Sequence, residues 1–121
     1  MSFCWVTINV MDMERSLAFY REVVGLALNR RMKPMPGTDI AFLGSGDTEV
    51  ELIRNEKATS CSYGKDVSLG FKVDSLEKTI EFLKEKGVPV QSGPFQPSPT
   101  VRFLYVLDPD GMRIQFVEDV K

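Results

Sequence analysis

Histidine is missing from all 121 residues. The side chain that most often serves acid–base catalysis near neutral pH, and that catalytic zinc and iron favour as a ligand, is therefore unavailable to this chain. Other groups must carry any chemistry. Glu51, in the run Glu49 Val50 Glu51 Leu52, offers a carboxylate that works as a general base if burial raises its pKa toward neutrality. Tyr105 and Gln115 offer a phenol and an amide that can steady developing charge. Trp5, Phe103 and Tyr105 add flat rings, which stack planar ligands and attract cations. The set suits small-molecule recognition, or carboxylate-based proton transfer, better than imidazole-dependent catalysis.

Several elements must position these side chains. Phe3 to Val10 is rich in β-branched and aromatic residues and predicts a strand. Asp12 is placed to cap a helix whose apolar positions Met13, Leu17, Tyr20, Val23 and Val24 recur at helical spacing, with Gly25 as its stop. Leu26 to Arg31 reads as a short strand, and Pro34, Pro36 and Gly37 predict a loop. Asp39 to Leu43 and Glu49 to Ile53 form a hairpin through Gly44 Ser45 Gly46 Asp47. The polar, irregular stretch 54–65 reads as a link.

The same order then returns. Val67 to Val73 predicts a strand and Ser75 a helix cap. Leu76, Ile80 and Leu83 form an apolar stripe, and Gly87 is the stop. A short strand follows at Val88 to Gln91, and Pro94, Pro97 and Pro99 predict a second loop. Thr100 to Leu107 and Met112 to Glu118 complete a hairpin through Asp108 Pro109 Asp110 Gly111, whose proline and glycine favour a tight reversal. In its returning strand Met112, Ile114 and Phe116 share one face, while Arg113, Gln115 and Val117 share the other. Trp5 overlays Ser68 at an offset of 63, Gly25 overlays Gly87 at 62, and Glu51 overlays Gln115 at 64. A near-constant offset marks an internal repeat of strand, helix and three strands. The expected architecture is α+β, one domain over 1–121, with half-units 1–53 and 66–121 joined by the link 54–65. Two such modules, helices on the outer faces, would curl their sheets around a shared cleft.

Composition narrows the function classes. The 15 basic and 17 acidic residues give a net charge of −2, and no basic stripe marks a nucleic-acid partner. No apolar run approaches the roughly 20 residues of a membrane span, and no secretory leader is visible, so the cytoplasm is the expected compartment. Cys4 and Cys61 read as free thiols. Met11, Met13 and Met32 to Met35 read as a soft rim or interface surface.

Four stretches, in order on the repeat, resemble the vicinal oxygen chelate superfamily of glyoxalase I, bleomycin-resistance proteins and extradiol dioxygenases. They are Val6 to Asp12 with Ser16 to Tyr20 and Val24 Gly25 Leu26; Glu49 to Leu52; Ser68 to Asp74; and Asp108 to Gly111. The resemblance covers essentially the whole chain. It implies four metal positions, one from each of four strands, at Trp5, Glu51, Ser68 and Gln115. Only Glu51 is a strong ligand there: the indole has no lone pair to give, a neutral serine is a poor donor, and glutamine supplies a carbonyl oxygen. No cofactor is expected, and Glu51, Gln115 and water suit at most a weakly held Mg²⁺ or Ca²⁺.

Strand parity with the family's pairing sends Trp5, Thr7, Asn9, Glu51, Ser68, Lys72, Phe103, Tyr105, Arg113 and Gln115 toward the cleft. Three readings follow. The first is a metal-free binding protein that sequesters a flat or partly apolar small molecule. The second is a lyase, isomerase or dioxygenase with Glu51 as base or residual ligand and Tyr105 assisting. The third is a ligand-free assembly or regulatory module. The resemblance also implies a homodimer. Two structural roles compete with these: Trp5 as a core plug in the metal's place, and Glu51 held by Arg113, Lys72 or an amide.

Overall fold

Residues 1–119 are described by a computed structural model, and residues 120 and 121 at the end of the expected second half-unit lie outside them. The chain divides into two units, Met1–Ser62 and Tyr63–Lys121, called here the first and second modules.

The first module runs β1 (Trp5–Asn9), α1 (Met13–Ala18), a π-helical segment (Phe19–Val23), β2 (Leu28–Met35), β3 (Thr38–Leu43) and β4 (Glu49–Asn55). Its sheet has the order β1-β4-β3-β2. β1 and β4 pair in parallel and the other neighbours are antiparallel. The second module repeats the plan with β5 (Leu69–Lys72), α2 (Leu76–Glu85), β6 (Ser92–Ser98), β7 (Val101–Leu107) and β8 (Arg113–Asp119). Its order is β5-β8-β7-β6, with β5 and β8 parallel. The molecule is thus an α+β protein of two tandem βαβββ modules, as the repeat predicts.

Local chemistry explains both helices. Asp12, in extended backbone, accepts a hydrogen bond from the Arg15 amide, and Ser75 accepts one from the Lys78 amide. Each side chain thereby satisfies one of the donors that a helix N-terminus leaves orphaned. Gly25 and Gly87 follow the helical segments with φ of +87° and +70°, a left-handed conformation that glycine adopts without steric cost. Alternation along the strands then sorts the sheet faces. In the first module Ile8, Val50 and Leu52 are buried with Leu17 and Tyr20; in the second Leu104, Val106, Ile114 and Phe116 are buried with Leu76 and Leu83. Each such side chain contributes on the order of 1.5–3 kcal/mol on leaving water.

Both proline-rich stretches expected as loops are strands. β2 extends through Pro34 to Met35, and the reversal is confined to Pro36 and Gly37. β6 spans Pro94 and Pro97, whereas the short strand expected at Val88 to Gln91 does not form. The physical reason is shared: β2 and β6 are each an edge strand of their sheet, where a missing N–H faces solvent and costs no ladder hydrogen bond. Register shifts between Met32 and Met35, and on both sides of Phe95, absorb the irregularity. The first helix also departs from expectation, because its second half is π-helical rather than α-helical. Met13, expected at a rim, is core, while Met32 and Met35 are exposed.

Candidate functional site

The sheet face opposite α1 in the first module carries Trp5, Thr7 and Asn9 from β1 and Glu49 and Glu51 from β4. Parallel pairing sets Trp5 level with Glu49, Thr7 with Glu51 and Asn9 with Ile53. The Thr7 hydroxyl donates to Glu51 Oε1 at 2.5 Å. Glu51 is 8% exposed, so this bond matters: a buried carboxylate needs donors to replace water. Within the first module the partner of Glu51 is therefore Thr7.

Trp5 is 43% exposed, which removes the expectation of a core plug. Its ring stands edge-on to Phe42 at 5.2 Å between centroids, within the favourable range for aromatic pairs. Phe42 pairs with Glu51 across β3 and β4, and Arg30 lies over the Phe42 ring at 3.9 Å. Arg30 in turn donates twice to the Glu49 carboxylate, at 3.2 and 3.3 Å, and Asn29 donates to it at 3.0 Å. This face is a carboxylate-bearing shelf whose arginine is already neutralised.

The equivalent face of the second module is built from Gly70 and Lys72 on β5, Arg113 and Gln115 on β8, and Phe103 and Tyr105 on β7. Gly70 stands level with Gln115, and Tyr105 pairs with Gln115 from the other side. A Cβ at Gly70 would meet Gln115 Oε1 at 3.1 Å, so the glycine makes room for the amide. Gln115 Nε2 donates to the Tyr105 hydroxyl at 3.4 Å. Ser68 lies one residue before β5, level with Arg113 by extension of the register, and is exposed. Phe95 from the edge strand joins Phe103 and Tyr105, with centroids 5.6, 5.7 and 6.5 Å apart. Arg113 stacks on Tyr105 at 4.1 Å.

Each module thus gathers its own predicted residues: Trp5, Thr7, Asn9 and Glu51 on one sheet face, and Lys72, Phe103, Tyr105, Arg113 and Gln115 on the other. Sequence reasoning missed Phe42, Arg30, Glu49 and Phe95. Alternation within Asp39 to Leu43 could have found Phe42. Phe95 was hidden because three surrounding prolines mimic a loop. Glu49 was read only as part of a motif, although parity places it on the face of Glu51.

One ionic cluster shapes the edge of the first module. Arg31 donates to Asp39 at 2.8 and 3.1 Å and to Glu14 at 2.9 Å. Hydrogen bonding to Arg31 holds the Asp39 carboxyl below its ordinary range, and the same contacts raise Arg31. The cluster lies away from Glu51 and reads as structural.

Comparison with known proteins agrees with this architecture. The chain is 32% identical over 120 residues to the lactoylglutathione lyase of Haemophilus influenzae, covering 93% of this chain and 88% of that protein. It is 33% identical over 119 residues to the lactoylglutathione lyase of Neisseria meningitidis serogroup A, covering 92% and 86%. Among solved structures, the trypanothione-dependent glyoxalase I of Leishmania major matches with a TM-score of 0.83 at 25% identity, over 98% of this chain and 86% of that one. An antibiotic-binding protein from Streptomyces matches in fold with a TM-score of 0.75 at 24% identity, over 98% and 96%. The Glyoxalase/Bleomycin resistance protein/Dioxygenase superfamily model matches residues 2–116, and the chain belongs to that superfamily.

Proposed function

We propose that this chain is a small-molecule-binding member of its superfamily that holds a flat, partly apolar ligand on aromatic sheet faces without the family's metal centre. The observation that supports this most is the ring cluster Phe95–Phe103–Tyr105, with Arg113 and Gln115 beside it. Rings offer area for stacking, and a few polar groups fix orientation, which is how small-molecule sites are commonly built.

The donor chemistry does not fit a catalytic transition metal. Of Trp5, Glu51, Ser68 and Gln115, only Glu51 offers an anionic donor, and its Oε1 already accepts from Thr7. A catalytic zinc normally takes three good protein ligands. Among the described residues no three His, Cys, Asp or Glu side chains converge in a metal-ligating group.

A second reading has its own support. The relatives at 32–33% identity are lactoylglutathione lyases, and Glu51 puts a carboxylate at one of the four metal positions that the family resemblance implies. In that reading Glu51 moves a proton while Thr7 orients it. The two readings separate in one experiment on purified protein. A thermal-shift panel of aromatic and thiol-conjugate ligands is run beside a lactoylglutathione lyase assay, with and without added divalent metals. Binding predicts stabilisation of about 2.7 kcal/mol for a ligand at 100 times its Kd, with no turnover under any metal. Turnover that disappears in Glu51→Gln would establish the enzyme and overturn the binding reading.

A further inference from the structure

We propose that the ligand of the second module is an anionic aromatic compound, a planar ring system bearing a carboxylate, with Arg113 as its anion-recognition group. This rests on the binding reading above and specifies the chemistry of the ligand.

Arg113 is a charged side chain with its recognition capacity unspent. A guanidinium carries five N–H donors. Here the Nη1 group has one long contact, to the Lys65 carbonyl at 3.5 Å. Nε is shielded from solvent and has no acceptor. Among the described residues no carboxylate pairs with it, whereas Arg30 and Arg31 are both bound to acids. A cation so placed costs desolvation that its surroundings do not return, and an incoming carboxylate would offset that cost through paired, charge-assisted hydrogen bonds.

The surroundings favour an anion and a ring together. Arg113 is fixed by stacking on Tyr105 at 4.1 Å, and Tyr105 continues into Phe103 and Phe95. The held guanidinium loses little rotamer freedom on binding, which preserves affinity. Lys72, level with Val117, adds a second positive charge to the same row. Asp119, the acid of that row on β8, pairs with Val101 six residues from Arg113, roughly 20 Å along the strand, while Asp66, which follows the Lys65 carbonyl that Arg113 contacts, forms no ion pair with it. An aromatic cation would meet Arg113 first and be repelled.

The test uses the full chain and three probes that share one ring system: 2-naphthoate, 2-naphthamide and 2-naphthylmethylammonium, titrated calorimetrically. The expected order has the carboxylate about ten- to a hundredfold tighter than the amide, the range for hydrogen bonds to a charged group, and the ammonium weakest. Arg113→Met should abolish the preference for the carboxylate, while Lys78→Met, which removes an exposed charge on α2, should keep it. If Arg113→Met fails to fold, the Arg113 Nε–H resonance of the unaltered protein should shift on adding naphthoate and stay in place on adding naphthamide. Equal binding of carboxylate and amide, or a preference for the ammonium, overturns this proposal and leaves the binding reading standing. No binding by any of the three overturns both.

Discussion

Where the first module sets Glu51 between Thr7 and Phe42, the second sets Gln115 between Gly70 and Tyr105. Thr7 meets its carboxylate through a hydroxyl, and Gly70 meets its amide by leaving room for it. Both modules also lay an arginine over the ring: Arg30 over Phe42 at 3.9 Å and Arg113 over Tyr105 at 4.1 Å. The arginines come from different strands, β2 in one case and β8 in the other. Their charges are handled differently, since Glu49 neutralises Arg30 and no described acid neutralises Arg113. One scaffold, repeated, thus carries an internally balanced face and an unbalanced one. On the face that points away from the helices the copies differ in charge and polarity, whereas the buried pairs Val50 with Ile114 and Leu52 with Phe116 stay apolar.

The comparison breaks most visibly in the cores that both modules share. Leu52→Ala on β4 and Ile114→Ala on β8 each remove a fully buried side chain from one module's core, and each should cost about 2–5 kcal/mol. Chemical denaturation followed by hydrogen exchange should place the loss of protection in the module that carries the change. Uniform loss across both would show that the copies do not behave as separate cooperative units.

A smaller effect tests the balanced face. Thr7→Val keeps shape but strips the buried Glu51 carboxylate of its donor, and should destabilise the protein by about 1.5–3 kcal/mol at neutral pH. Measured melting in urea that shifts by less than a few tenths of a kcal/mol would mean another group satisfies Glu51. The second module has no counterpart to this bond, so Gly70→Ala should act through crowding of Gln115 instead.

The smallest effect concerns Asp39. Arg31 depresses its carboxyl in the folded state, so the stabilisation is present above the ordinary carboxylate value of about 3.9 and is lost as pH falls through the lower folded value. Asp39→Asn should cost no more than about 1 kcal/mol at pH 7, as expected for a partly exposed pair. The gap between variant and parent should close below pH 4. A gap that persists at pH 2 would assign the loss to packing rather than charge.

Much of this was legible in the residues themselves. Asp12 and Ser75 announced their helices, Gly25 and Gly87 ended them, and the offsets linking Trp5 to Ser68 and Glu51 to Gln115 gave the duplication. Alternation assigned Gln115 and Arg113 to one face and Ile114 and Phe116 to the other. The failures came where tertiary position overrides local preference. Pro34, Pro94 and Pro97 read as breakers because a sequence does not say which strand will be outermost. Partner choice was equally hidden: Glu51 could have met any nearby donor, and only the parallel register of β1 with β4 selects Thr7. The π-helical turn at Phe19–Val23 left no periodic signature distinct from an α-helix.

The prolines in the outer strands carry one more consequence. A duplicated sheet doubles the number of unpaired rims through which separate molecules can zip together, and a gene that copies such a module also copies its tendency to aggregate. Pro34 on one rim and Pro94 with Pro97 on the other each delete a hydrogen-bond donor from the row that a foreign strand would need. Restoring those amides, by changing the prolines to residues that favour strands, would turn the repeat into a template for its own polymer.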